Sequence, residues 1–576
     1  MKTRILLSIA TVFALFIIAG TLRSDLQGAA GGPIPRVTAI TQITHDGYRK
    51  TNLLSDQSHL FVTETPESNR VIAKVSLTGS ERSVLPAPFA SLQALDVSPD
   101  QSKLLVSSMS KESGESEFWT LPVADGSPAR IGELGGRDAS WSADGQQLVF
   151  AKEENLFVSS GDGKQSHKIY TANGSIFAPH FSPDRKRIRF TVSDLEKGST
   201  SLWEVARDGS HAHALLADWP YSATACCGNW TTDGHYYIFQ ASQTLPNTTT
   251  VVTSLWALSE SKGREMAAPA QMTDGPMSFG NASLARDSKK IWAIGVQPSV
   301  EVVKYEAGKK KFVPLIAGLS ATDVDFSSDG KWIAYVAIPD GTLWRSRADG
   351  KEALQLTTSS ERAALPRWSP EGKQIAYASL KPGGSWRLSL VSAEGGDAHE
   401  MLPDGGSQID ANWSSDGEQL MFGDYSRDKN GLKIQIMNFK THTLTTVPGS
   451  DGLFSPRWSP NGRYIVAMSP DGTTLMLFDF TTQKWTTWLK QAESVAYPLW
   501  SADSQFLYFD DFVTGREAIR RLKVGESNST VVFEVGNFDR YPGALGLWSS
   551  RAADGSWMFV RDRSSQEVYQ LSLELP

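Results

Sequence analysis

The chain has 576 residues, 40% hydrophobic and 21% charged, an ordinary soluble composition with room for more than one domain. Its net charge of −7 lacks the basic footprint that phosphate binding needs, so nucleic acid is excluded as a partner of the main body. Forty-eight glycines and eighteen tryptophans point to many turns between aromatic-rich strands.

At the N-terminus, Lys2 and Arg4 precede an uncharged run over residues 5–22, ILLSIATVFALFIIAGTL. As a helix it rises about 27 Å, close to the roughly 30 Å hydrocarbon core of a bilayer. The run predicts a transmembrane anchor, with a cleaved signal peptide as the alternative. Ile17 and Ile18 stand where a peptidase wants small side chains. Basic residues ahead of the span place the N-terminus in the cytoplasm and the body outside it. Residues 1–30 are therefore expected to be an anchor or signal segment with a short linker.

An outer-type strand, PRVTAITQIT (35–44), comes next, followed by a phrase that recurs to the end of the chain. Its copies in order are LLSDQSHLFVTE from Leu53, DVSPDQSKLLVSS from Asp96, SWSADGQQLVFAK from Ser140 and HFSPDRKRIRFTV from His180. NWTTDGHYYIFQAS from Asn229, SLARDSKKIWAIG from Ser283 and DFSSDGKWIAYVA from Asp325 follow. The series ends with LPRWSPEGKQIAYAS from Leu365, NWSSDGEQLMFGD from Asn412, SPRWSPNGRYIVAMS from Ser455, LWSADSQFLYFDD from Leu499 and LWSSRAADGSWMFV from Leu547. Twelve units, mostly 40–49 residues apart with one longer gap before the sixth, are the mark of a repeat architecture. In each, an aromatic closes one strand, a Ser-Pro-Asp-Gly-like turn reverses the chain, and an alternating strand follows. A third strand such as TLWRSRADG (342–350) and a fourth such as ALQLTT (353–358) complete four strands per unit.

The expected fold is all-β: two tandem six-bladed β-propellers, twelve four-stranded blades in all, after an N-terminal transmembrane helix. A second outer-type strand, KKKFVPLIAG (309–318), and a last unit stopping after EVYQLSLELP (567–576) suggest that each ring begins with the strand that completes its own sixth blade. The division this predicts is 36–307 and 308–576.

The aromatic-Ser-Pro-Asp-Gly units resemble the repeats of TolB-type, WD40-like propellers over nearly all of 36–576. More narrowly, the chain is similar to the extracytoplasmic part of acidobacterial regulators in which a winged-helix domain precedes one membrane span and a TolB-like region. Cys226–Gln240 (CCGNWTTDGHYYIFQ), Asp340–Gly350, Ala363–Ala376, Gly452–Ile465 and Leu475–Trp485 carry that resemblance. It implies a periplasmic body, anchored in the inner membrane or secreted, that docks a protein of the cell envelope. The sensory half of a membrane-bound regulator is the alternative function. Only four residues precede the span, so either the chain is a lone anchored propeller or its true start, with the DNA-binding part, lies upstream of Met1.

The motifs of chemistry are sparse. Gly-x-Ser-x-Gly, glycine-rich phosphate loops and His-Glu-x-x-His are missing, so the chain is expected to be non-enzymatic and without cofactor or metal. A propeller hydrolase or lyase remains a third reading, which two carboxylates or a Tyr–His pair around one channel would favour. His211 and His213 read as surface residues. The adjacent Cys226 and Cys227 read as two small half-buried side chains or as a vicinal disulfide, which would be strained and readily reduced. Arg367 and Arg457 stand just before the aromatic, where other copies carry Ser, His, Asn, Asp or Leu. With Arg345 and Arg347 they are candidates for an anion-binding channel mouth, or else brace their own blades.

Overall fold

The computed structural model describes residues 35–574, apart from 57, 67–69, 90, 110–115, 125, 195–198, 246–250, 261–267, 383, 403–405, 426–430, 492–493, 513–516 and 537. The expected membrane span lies outside the described residues. Among those described, no helix is long and apolar enough to cross a membrane. The described residues form twelve four-stranded antiparallel sheets.

Local chemistry explains each hairpin. In the unit around Trp141, Ser142 Oγ donates to Asp144 Oδ1 at 2.6 Å and accepts from Gln147 N at 2.9 Å. Gly145 takes φ of 70° and its N–H returns to the Ser142 carbonyl. Serine, acid and glycine thus close the turn with their own atoms. Ser414, Asp416 and Gly417 repeat the arrangement, and Asn461 takes the acid's place after Ser459.

The strand that follows each turn is buried on both faces, because every blade is covered by a blade on either side. Ile375, Ala376, Tyr377 and Ala378 are all buried. Trp368, Ile375, Tyr377 and Val391 pack against Ala334, Val336 and Leu343 of the preceding blade. Such interblade layers form the core in place of one central cluster.

The innermost strands define two closed rings. In the first they are Arg49–Ser55, Leu92–Val97, Asp138–Trp141, Ser175–Phe181, Cys226–Trp230 and Ser278–Leu284, each touching the next and the last touching the first. In the second they are Ala321–Phe326, Arg362–Trp368, Gln408–Trp413, Phe454–Trp458, Val495–Trp500 and Ser549–Arg551, closed the same way.

The rings close by exchanging strands. The sixth sheet of the first ring runs Ser278–Leu284, Lys290–Gln297, Ser565–Glu574 and Arg36–Gln42. The sixth sheet of the second runs Ser549–Arg551, Trp557–Asp562, Val300–Glu306 and Lys311–Pro314. The chain leaves the first ring after Gln297, builds the whole second ring, and returns after Asp562. This corrects the division at 307/308. Val300–Glu306 belongs to the second ring, and the C-terminal strand is the third strand of the first ring's last blade. The exchange buries otherwise open edges in both closing sheets.

Candidate functional site in the first ring's channel

Most innermost strands carry a bulge, at which one residue takes a left-handed conformation. Ala178, Cys227 and Asn281 do so in the first ring, and Asp323, Leu365, Asp410, Ser455 and Tyr497 in the second. A bulge removes an N–H from the ladder, and that donor needs a partner. The neighbouring blade supplies one: Asp138 accepts from Ala178 N at 2.8 Å, Thr191 from Cys227 N at 3.1 Å, and Gln240 from Asn281 N at 2.8 Å. A second staple joins an inner-strand acceptor to the aromatic of the next blade. Asp96 accepts from Trp141 N at 2.7 Å, Asp325 from Trp368 N at 2.8 Å, and Asn412 from Trp458 N at 2.7 Å.

These staples place acids along both channels, and the rings then diverge. In the second ring, Arg457 Nη1 lies 2.9 Å from Asp410 Oδ1, both side chains buried. Arg540 grips Asp510 through two contacts of 3.2 Å, and Ser549 Oγ donates to the same carboxylate. Burial pushes the pKa of Asp323 and Asp325 up, and the Arg367 charge offsets part of that in both. Tyr497, its hydroxyl on the Leu545 carbonyl, is held neutral by burial and by the nearby charges of Asp323, Asp410 and Asp510.

In the first ring the channel opens into a cavity of ≈ 510 Å³ that residues from all six blades line. Asn52, Asp96, Asp138, His180, Asn229 and Asn281 give it a polar wall. Burial raises Asp96 to about 7, against the pull of the Trp141 and Val97 amides, and the Asp138 charge adds to the rise. Burial likewise raises Asp138 to about 6. His180 is driven down to about 4 by burial and is neutral at physiological pH. Arg137 is exposed, its guanidinium stacked over the Phe177 ring at 4.8 Å.

The residues singled out in the sequence fall in different places. Arg345 and Arg347 sit on Leu343–Arg347, the third strand of its blade, two strands outward from the channel rather than at its mouth. Both stack on Trp332, at 4.3 and 4.8 Å; Arg345 Nε donates to the Ala393 carbonyl and Arg347 Nε to Glu352. Arg367 and Arg457 do stand on channel strands, each donating to the carbonyl of its own preceding proline. Cys226 and Cys227 form a vicinal disulfide, and Cys227 lines the first ring's cavity. His211 and His213 are exposed. Asp96, Asp138 and His180 were not singled out as site residues. Their one sequence signal is the variable place two residues before the turn serine, which His180 holds before Phe181 and Asp96 before Val97.

Closed rings of four-stranded blades make the protein a β-propeller. Residues 294–504 match the family described as TolB beta propeller domain. Among solved structures it is similar to a TolB-assigned protein from Agrobacterium tumefaciens, at 18% identity over 46% of this chain and 98% of that one, TM-score 0.37. It is similar also to the tricorn protease, at 12% identity over 82% of this chain and 49% of that one, TM-score 0.32. TolB from Acinetobacter baumannii shares 13% identity over 60% of this chain and 81% of that one, TM-score 0.31. At these values the likeness extends to neither activity nor partner. No curated protein matches the chain.

Proposed function

We propose that this chain is a non-enzymatic docking scaffold, anchored in the inner membrane by residues 5–22, whose periplasmic body binds an envelope protein at the first ring's channel. The observation that carries this reading is the polar cavity to which every blade of that ring contributes. Rigid strands hold its wall, the arrangement that lets a site bind without large ordering costs.

A second reading, a hydrolase or lyase, draws on the two carboxylates and the imidazole that share this channel. Against it, each carboxylate already accepts two backbone N–H groups, so both act as struts between blades.

The test is site-directed photocrosslinking in intact cells. Asn229→p-benzoylphenylalanine, in the cavity wall, is expected to yield a discrete adduct with one envelope protein. Thr445→p-benzoylphenylalanine, on an exposed outer strand, is expected to yield none. Equal labelling from both positions, or no adduct from Asn229, would overturn the docking reading.

A further inference from the structure

The two channels are built on one plan, which allows them to be compared position by position. Asp410 lies three residues before Trp413, and its partner Arg457 lies one residue before Trp458 in the next blade. In the first ring Asp138 lies three residues before Trp141, and the place before Phe181 in the next blade is held by His180. Asp325, one residue before Phe326, feels Arg367, one residue before Trp368 in the next blade. Asp96, one residue before Val97, has Ser140 at the matching place. The amide staples coincide as well: Trp368 N on Asp325 matches Trp141 N on Asp96. The acids and their backbone partners are thus kept in both rings. The arginines are kept only in the second.

What replaces them does not restore the charge. Ser140 turns its hydroxyl onto the Pro179 carbonyl, and His180 is neutral. Of the basic residues nearest the cavity, Arg137 stacks over Phe177 and its exposed charge offsets only part of the rise in Asp138, and Arg286 donates to the Pro99 carbonyl at 2.6 Å. The fold already withdraws these half-buried carboxylates from much of their water. A cation arriving beside them therefore gains attraction in a low-dielectric site at a reduced desolvation cost.

We propose that the first ring's channel accepts a guanidinium or alkylammonium side chain from an extended segment of a partner protein, which takes the place beside Asp138 and Asp96 that Arg457 and Arg367 fill in the second ring. The inference rests on the docking reading and gives its partner a chemistry: an exposed strand or tail presenting arginine or lysine. The ≈ 510 Å³ cavity has room for such a side chain and some flanking backbone. His180 and the three asparagines offer hydrogen bonds to that backbone.

The experiment uses the full chain in detergent, immobilised, and two matched panels of heptapeptides randomised around a central residue. One panel carries arginine at the centre and the other citrulline, which has nearly the same shape and no charge. Retained peptides are counted by mass spectrometry. At pH 8 the arginine panel is expected to be enriched at least tenfold over the citrulline panel. Enrichment is expected to fall as pH drops to 5.5, where Asp96 and then Asp138 take up protons. His180→Arg, which restores the Arg457 arrangement beside Asp138, is expected to abolish enrichment while raising the melting temperature, so loss of binding is not loss of fold. Equal retention of the two panels, or undiminished enrichment in His180→Arg, would overturn the proposal. If the panels are retained equally while Asn229 still crosslinks a protein, the cation is wrong and docking stands. If arginine amide alone protects the channel and no peptide is retained, the peptide source is overturned.

Discussion

Asp96 shows how one half-buried carboxyl carries both architecture and a cost. Its two oxygens hold Val97 and Trp141 in place, yet burial raises its pKa from 3.8 to about 7. A carboxyl raised on folding binds its proton more tightly in the native state, so stability falls as pH rises from about 4 through 7 and the deficit is complete above 7. Three pH units correspond to at most about 4 kcal/mol. Asp96→Asn keeps the Trp141 bond, as Asn412 does for Trp458, and gives up the Val97 bond at about 1 kcal/mol. Thermal melts are therefore expected to show Asp96→Asn more stable than wild type at pH 8, with the advantage gone at pH 4. An advantage independent of pH would show that Asp96 does not ionise in this site. Arg457→Met predicts the opposite kind of change. It strands the buried Asp410 carboxylate, and a loss of about 3–5 kcal/mol is expected in denaturant titrations at pH 7.

At the scale of the element, the hairpin was legible and the bulge was not. Ser, acid and glycine at fixed spacing state their turn because the atoms that close it belong to the turn itself. Ser414→Ala removes the Oγ bonds to Asp416 and Gln419, and a loss of about 1–2 kcal/mol is expected without change of fold by circular dichroism. The bulges have no such local signature. The N–H freed at Ala178 is answered by Asp138, forty residues away in the preceding blade. Ala178 itself holds φ of 47°, a conformation that glycine adopts at less cost. Ala178→Gly is accordingly expected to leave the native fold intact and to be neutral or stabilising by up to about 1 kcal/mol in the same titration. A large loss would show that the methyl group packs more than the strained backbone costs. For the same reason the arginines on Leu343–Arg347 were misplaced by sequence. Charge and spacing show which face a residue shares, but not how far its strand lies from the axis.

Across the whole molecule, the twelve blades could be counted from their turns, while the route of the chain between rings could not. Ser565–Glu574 alternates as a third strand should and is one, but in the other ring's blade. Side-chain alternation fixes the face of a strand and leaves its neighbours open. The neighbours here are set by two short crossings, Gln297 to Val300 and Asp562 to Ser565, whose residues carry no distinguishing pattern. One consequence is unequal independence. The second ring is continuous from Val300 to Asp562, whereas the first needs the chain's last strand to close. The most direct test of this interlaced arrangement is to compare the unfolding of two fragments, 300–562 and 308–576, in urea. The structure predicts one cooperative transition for 300–562. For 308–576, which lacks a strand of its sixth blade and carries an unmatched one, it predicts a lower midpoint or none. A cooperative 308–576 more stable than 300–562 would contradict the strand exchange.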